Sequence, residues 1–183
     1  MAFKRLTADT RLPAARRVLI SGAPNTLKTT AMLSWPKPVH IVSYPGEKGY
    51  ETIPAGMDGI IPYIWEIDDL TKVTPAAVVR EVETLTMEIL SGKHGEVRTF
   101  AGDGLHKLYG WYYQAALADL VASAGQRKGW DGDDELLRGP AYGISHNTFG
   151  SYITRTLSTP TPYIVMSLWE GATKDDSDDP SKR

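Results

Sequence analysis

The segment that decides the fold reads Arg17-Val18-Leu19-Ile20-Ser21-Gly22-Ala23-Pro24-Asn25-Thr26-Leu27-Lys28-Thr29-Thr30. Its first half is an apolar run typical of a buried strand, and its second half passes through a tight turn into a helix-compatible stretch that ends before Pro36. Gly22 and the Lys28-Thr29 pair have the spacing of a phosphate-binding loop, in which Leu27 takes the place of the second glycine. The segment therefore predicts a strand, a phosphate-binding loop and a helix in succession.

The predicted loop can hold phosphate through its backbone N–H groups, the dipole of the helix that follows and the side chain of Lys28. Backbone N–H groups in the first turn of a helix lack helical partners, and the aligned peptide dipoles favour an anion there. Lys28 would reach the terminal phosphates and Thr29 would ligate Mg²⁺. Leu27 is compatible only if its backbone adopts angles that glycine normally supplies and its side chain points away. The predicted binding residues are Gly22, Ala23, Pro24, Asn25, Thr26, Leu27, Lys28, Thr29 and Thr30.

The composition is that of an ordinary globular domain. The 183 residues are 42% hydrophobic, which suffices for one domain with a substantial core. No apolar run approaches the ~20 residues needed to cross a bilayer, and the basic N-terminus lacks the apolar core of a secretory signal. The absence of cysteine excludes disulfides, thiolate metal sites and cysteine catalysis. We expect a cytoplasmic protein without membrane contact.

The charged residues are unevenly distributed along the chain. The formal net charge of −2 excludes a broad basic field, so contact with nucleic acid requires a local patch. Residues 1–15 form a basic N-terminal arm, which serves either as such a patch or as a solvated segment. Residues 172–183 are rich in aspartate and predict an acidic flexible tail. The predicted folded core is therefore 16–171.

Strand and helix signals alternate after the loop. Further strands are predicted at 39–44, 60–67, 97–101 and 163–168. Helices are predicted from Thr74-Pro75 to Ser91-Gly92, from Leu105 with a buried stripe, and from about 145 to 157. The glycine-rich segment 125–139 predicts a mobile loop. This alternation predicts an α/β fold with a mostly parallel sheet and helices on both faces.

Two carboxylates follow predicted strands. Asp103 stands where nucleotide hydrolases place the acid that holds Mg²⁺, although an aspartate between two glycines also suits a plain turn. Glu47 could orient and deprotonate a water molecule, or belong to a surface turn. Because the carboxyl ends of parallel strands meet at one edge, we expect Lys28, Glu47 and Asp103 to lie together. Glu47 and Lys28 are predicted as catalytic, and Thr29 and Asp103 as metal-binding.

Residues near the last helix and strand leave several roles open. Ser167 or Glu170 could sense a γ-phosphate, although a plain strand end with Trp169 as a packing residue is the simpler interpretation. Tyr109, Trp111, Tyr112 and Tyr113 could stack on bases, but aromatic residues on a helix usually belong to the core. A binding surface for single-stranded nucleic acid is predicted at Arg127, Lys128, Trp130 and Arg138. Arg138 or Arg155 could instead act in trans as an arginine finger.

Together these segments resemble the RecA-like P-loop ATPases of bacteriophages and prophages, including the single-strand-annealing recombination type. The resemblance rests on residues 22–30, 35–38, 45–49 and 102–105 and covers most of 16–170. It implies a RecA-like core that binds ATP and Mg²⁺, and a homo-oligomer that assembles on DNA in the bacterial host cell. It also implies that Glu47 is the catalytic carboxylate and Asp103 the second acidic site.

The chain departs from this family at two places. Leu27 replaces the usual glycine, and the sequence stops soon after Glu170, where a complete RecA core would add further strands. The chain is then either shortened, or a reduced ATPase that is complete only in an oligomer. Three functions stay open: a phage-type ATPase in DNA recombination or replication, a small-molecule kinase with 125–139 as its lid, and a non-hydrolysing nucleotide-binding module for structure or assembly.

Overall fold

A computed structural model describes residues 16–23, 26–65, 73–126 and 134–169. These ranges contain five strands and four α-helices, in the order β1 (Arg16–Gly22), α1 (Lys28–Leu33), β2 (Val39–Ser43), β3 (Ile60–Ile64), α2 (Pro75–Leu90), β4 (Thr99–Asp103), α3 (Leu105–Gly125), α4 (Arg138–Leu157) and β5 (Tyr163–Trp169). Two short 3₁₀ helices, Gly49–Thr52 and Glu135–Leu137, lie after β2 and before α4. The predicted arm, 1–15, and tail, 172–183, lie outside the described ranges.

The five strands form one parallel sheet in the order β1-β5-β4-β2-β3. Helix α1 packs on one face, and α2, α3 and α4 pack on the other. The predicted α/β class, with a parallel sheet and helices on both faces, is confirmed. Strand β5 lies between β1 and β4, so the strand that leads into the predicted phosphate loop is separated from β4 by the last strand that the structure describes.

Alternate residues of the central strands divide the core between the two faces. Ile41, Ala101 and Val165 belong to the cluster that includes α1. Their sequence neighbours Phe100 and Ile164 belong to the larger cluster with α2, α3 and α4. Successive side chains of a strand point to opposite faces, so continuous apolar runs fill both layers of a covered parallel sheet.

Strand β4 lies two positions further along the chain than the predicted 97–101. It pairs with β2 residue by residue, from Val39 opposite Thr99 to Ser43 opposite Asp103. Strand β3 likewise ends at Ile64, before the predicted 67. Asp103 is therefore the last residue of a buried strand rather than a turn residue, and its backbone position is fixed by the sheet.

Helix α4 begins at Arg138, well before the predicted start near 145. The predicted loop 125–139 is wrong at both ends, since α3 includes Gly125 and a 3₁₀ helix precedes Arg138. Pro140 lies in the first turn of α4, where its missing N–H removes no helical hydrogen bond. Gly139 and Pro140 therefore mark the beginning of a helix rather than a loop.

Helices α2 and α3 follow their predictions more closely. Thr74 caps α2, since its side chain accepts a hydrogen bond from the Ala77 N–H at 3.3 Å, and Pro75 is the first helical residue. The predicted stripe of α3 consists of Leu105, Leu108, Tyr112, Ala116 and Leu120; the first four are buried, whereas Leu120 is only partly buried. Among the helices of the described ranges, none has the length and apolar character to cross a bilayer.

Three buried hydroxyl groups connect the sheet to two helices. The Tyr152 hydroxyl of α4 lies 2.9 Å from the Tyr44 hydroxyl after β2 and 3.1 Å from Thr86 Oγ1 of α2. Burial raises the pKa of both tyrosines, so the hydroxyls stay neutral and act as hydrogen-bonding groups. Each group satisfies another that has no access to water.

We expect Tyr152→Phe to lower the free energy of unfolding by about 1–3 kcal/mol, because it leaves the hydroxyls of Tyr44 and Thr86 buried without this partner. Urea denaturation measures the change. Tyr142→Phe on the same helix is the matched control, since its ring is exposed. Equal losses in the two variants would contradict the prediction.

Candidate functional site

A cavity of about 590 Å³ opens at the carboxyl ends of β1, β2, β4 and β5. Its walls are residues 26–30, most of 46–52, and the side chains of Asp103, His106, Lys107 and Ser167. Ligands of open parallel sheets bind at this edge because the loops that follow the strands meet there. The structure brings Lys28, Glu47 and Asp103 to one cavity, as the order of strands in the sequence predicts.

The ammonium group of Lys28 is held by the loop that precedes it. Nζ donates to the carbonyl oxygens of Gly22 at 2.9 Å and Ala23 at 2.7 Å, and to Thr26 Oγ1 at 3.3 Å. Thr26 Oγ1 in turn donates to the Ala23 carbonyl at 2.8 Å. These acceptors engage the three donors of the lysine. Of the nine predicted binding residues, Pro24 and Asn25 lie outside the described ranges.

Leu27 adopts a left-handed backbone conformation, which normally favours glycine. Its φ of 59° and ψ of 24° lie in the left-handed region, immediately before α1. Its side chain is 72% exposed at the edge of the cavity. The backbone conformation that the sequence requires of a leucine at this position is present, at the cost of backbone strain.

We expect Leu27→Gly to raise the free energy of unfolding by about 1 kcal/mol, because glycine adopts a positive φ without a Cβ clash. The lost side chain contributes little burial. Leu136→Gly is the control: Leu136 is 80% exposed in a 3₁₀ helix, and glycine there should be destabilising. Chemical denaturation measures both changes, and a loss of stability in both variants would refute the strain at Leu27.

Asp103 is buried, and both of its carboxylate oxygens accept hydrogen bonds. Thr29 Oγ1 donates to Oδ2 at 2.7 Å, and Ser167 Oγ donates to Oδ1. Ser167 Oγ also accepts from the Gly104 N–H at 2.9 Å. Side chains from α1, β4 and β5 thus meet in one hydrogen-bonded cluster. Ser167 is engaged with Asp103 at a buried position, and Glu170 lies outside the described ranges.

The donor set suits a magnesium ion that keeps water and phosphate ligands. No group of three or more histidine, cysteine, aspartate or glutamate side chains in the described part of the chain could hold a metal by itself. Mg²⁺ typically takes one or two protein carboxylates and completes its octahedron with water and substrate phosphates. Asp103 with the hydroxyl of Thr29 matches that pattern.

Two glycines let the backbone approach the acidic side chains. A Cβ on Gly49 would lie 2.2 Å from Asp103 Oδ2 and 2.5 Å from Thr29 Oγ1. A Cβ on Gly104, whose φ is 87°, would lie 2.8 Å from Glu47 Oε2. The segment after β2 therefore lies directly on the Thr29–Asp103 pair, and Glu47 lies against the first turn of α3.

Glu47 is fixed by backbone contacts and faces a histidine. Its N–H donates to the Tyr44 carbonyl at 2.8 Å, and the Lys48 N–H donates to its Oε1 at 3.1 Å. Its Oε2 lies 4.0 Å from His106 Nε2. Burial lowers the pKa of His106, and the Glu47 carboxylate opposes that effect. Glu47 therefore lines the cavity beside a neutral imidazole at pH 7.

Two features of the site are not among those predicted from the sequence: His106 and the close approach at Gly49. His106 lies in the first turn of α3, and this helix begins just after Asp103 at the carboxyl edge of the sheet. Gly49 ends the segment 45–49, in which a second glycine signals a close contact. The positions of His106 and Gly49 can thus be found in the sequence. The residues that they contact cannot, because those follow or belong to other strands and helices of the fold.

The predicted nucleic-acid surface is described only in part. Arg138 begins α4, with Nη2 3.9 Å from Asp134 Oδ1, and both side chains are largely exposed. Arg127, Lys128 and Trp130 lie outside the described ranges. Arg155 is paired with Glu83 at 2.7 Å, and Trp111 donates to the Pro45 carbonyl at 3.0 Å. These two side chains therefore already have partners within the fold.

Comparisons of the chain with protein-family models, with curated proteins and with solved structures find no match.

Proposed function

We propose that the chain binds ATP with Mg²⁺ in the cavity at the carboxyl ends of the strands and hydrolyses it as a RecA-like P-loop ATPase. The observation that carries the proposal is the 2.7 Å hydrogen bond between Thr29 and Asp103. It joins the threonine in the first turn of α1 to the acid at the end of β4. Those are the two residues that P-loop hydrolases use around the metal.

The binding role falls on the loop after β1. Lys28 has an ammonium group at the cavity, and as a flexible point charge it can exchange backbone carbonyls for phosphate oxygens. Thr29 and Asp103 would hold Mg²⁺. The ion would neutralise the negative charge on the β- and γ-phosphate oxygens. The left-handed Leu27 supports this role, because it preserves the loop geometry that a glycine normally provides.

The catalytic role falls on Glu47. Its carboxylate lines the same cavity as Lys28 and Asp103 and comes from a third strand end. A carboxylate in that position can orient a water molecule and accept its proton during attack on a phosphate. Its backbone contacts to Tyr44 and Lys48 keep it at the cavity wall.

The biological setting rests on the sequence resemblance alone. Residues 22–30, 45–49 and 102–105 suggest a bacteriophage protein that acts in DNA recombination or replication, in the cytoplasm of a bacterial host. Single-stranded DNA and further copies of the chain are its proposed partners. A non-hydrolysing nucleotide-binding module is the second candidate, because Lys28 is already engaged by three acceptors of its own loop.

The test combines calorimetric binding of Mg-ATP with release of phosphate, in the presence and absence of single-stranded DNA. Asp103→Asn should lower the hydrolysis rate at least about 100-fold, since it removes a charge that the metal needs. Asp119→Asn is the matched control, because Asp119 is exposed on the far part of α3. Binding without turnover would favour the second candidate, transfer to an acceptor without DNA would indicate a kinase, and absence of binding would refute the proposal.

A further inference from the structure

His106 lies between the candidate site and a second cavity. Its side chain lines the polar cavity that contains Glu47 and Asp103. It also lines a cavity of about 500 Å³ between β1, β5, α3 and α4, whose walls are mainly apolar side chains such as Leu19, Phe149 and Leu168. The imidazole therefore borders an apolar cavity on one side and a cavity that contains a carboxylate on the other.

Charged groups from several elements face this imidazole. They are Glu47 after β2, Asp103 at the end of β4, Lys28 of α1 and Lys107 of α3. Arg17 of β1 and Tyr109 of α3 line the apolar cavity with it. Burial is the main cause that lowers the pKa of His106; the Glu47 carboxylate raises it, and the two lysines lower it. The imidazole is accordingly neutral at pH 7, and its protonation is coupled to the charge of Glu47.

We infer that His106 is a positioning residue for Glu47, an inference that rests on the proposed function. While the imidazole is neutral, the carboxylate of Glu47 stays available to a water molecule in the cavity. When the imidazole takes up a proton, its attraction draws Oε2, now 4.0 Å from Nε2, onto the imidazolium and withdraws the carboxylate from that water molecule. Hydrolysis therefore slows as the pH falls through the range in which His106 becomes protonated.

The contact between the loop and α3 permits this movement. Gly104 precedes α3 with a φ of 87°, and Glu47 Oε2 lies only 2.8 Å from the position that a Cβ of any other residue would take. The carboxylate thus already lies against the helix start, and a short approach to the imidazole meets no side chain at position 104.

The pairing is tested by NMR titration of the histidine ring protons, with the His106 signal assigned by its loss in His106→Gln. Glu47→Gln should lower the protonation constant of His106 about tenfold, because an opposite charge at this distance favours the imidazolium. Glu51→Gln removes the same charge from another residue of the cavity wall and should change the constant less than about twofold. An equal response to both variants would overturn the pairing.

The positioning role is tested by the pH profile of hydrolysis. As the pH falls through the range in which the His106 imidazole becomes protonated, the wild-type kcat should fall about tenfold, with little change in KM, and His106→Gln should remove that fall. An acidic limb that persists in His106→Gln would overturn the role. Absence of hydrolysis by the wild type at every pH would overturn the proposed function and the catalytic part of this inference together, whereas the NMR result decides the pairing in either case.

Discussion

Lys28→Ala is expected to weaken the binding of Mg-ATP about 100-fold. The lysine supplies a cation at the proposed phosphate position, and a hydrogen bond to a charged group is worth about 1.5–3 kcal/mol, or one to two factors of ten in affinity. Calorimetry with ATP and Mg²⁺ measures the change. The fold should persist, because the present acceptors of Nζ are oxygen atoms of the loop itself.

Lys48→Ala provides the matched control for that experiment. Lys48 also lines the cavity, but it is exposed and lies in the segment after β2. Its loss should change the affinity less than about fivefold, as expected for a solvated charge. If Lys28→Ala binds Mg-ATP as tightly as Lys48→Ala does, the loop after β1 is not the phosphate site.

Gly49→Ala is expected to lower the hydrolysis rate about 100-fold. Its Cβ would overlap Asp103 Oδ2 and Thr29 Oγ1, so either the backbone after β2 or the hydrogen-bonded pair must shift. A displacement of about 1 Å at a catalytic group can cost a factor of this size. The same shift moves Glu47, which lies in that segment. Phosphate release and Mg-ATP affinity are the two measurements.

Gly150→Ala separates this steric effect from the general effect of replacing glycine. Gly150 is an exposed residue of α4, and a Cβ there meets nothing within 4 Å. Alanine at that position should keep both activity and affinity and stabilise the helix by about 0.5–1 kcal/mol. Wild-type rates and affinity in Gly49→Ala would show that the segment after β2 yields without consequence for the site.

The sequence predicted the alternation of strands and helices because periodicity and caps are local properties. Thr74 and Pro75 identify the start of α2 by themselves, and the loop spacing from Gly22 to Thr29 identifies the approach to α1. The position of β4 could not be found in this way. Its bounds follow from pairing with β2, and the register places Asp103 opposite Ser43, a relation between residues distant in the chain.

The site was predictable as a set of strand ends but not as a set of contacts. Strand order along the chain places Lys28, Glu47 and Asp103 at one edge, whereas their neighbours depend on which strands are adjacent. Ser167 reaches Asp103 because β5 lies beside β4 in the sheet. His106 reaches Glu47 because the segment after β2 crosses the start of α3. Neither adjacency leaves a local pattern.

Lys28 makes three hydrogen bonds to acceptors of its own loop, and these acceptors compete with a phosphate for the ammonium group. A phosphate gains the ammonium only in molecules whose lysine has left these acceptors, so the observed dissociation constant is the intrinsic constant divided by the fraction of such molecules. If roughly one molecule in ten has released the lysine, binding is tenfold weaker than its contacts allow. If the cavity binds phosphate as proposed, its affinity is therefore set in part by an equilibrium that exists before any ligand arrives.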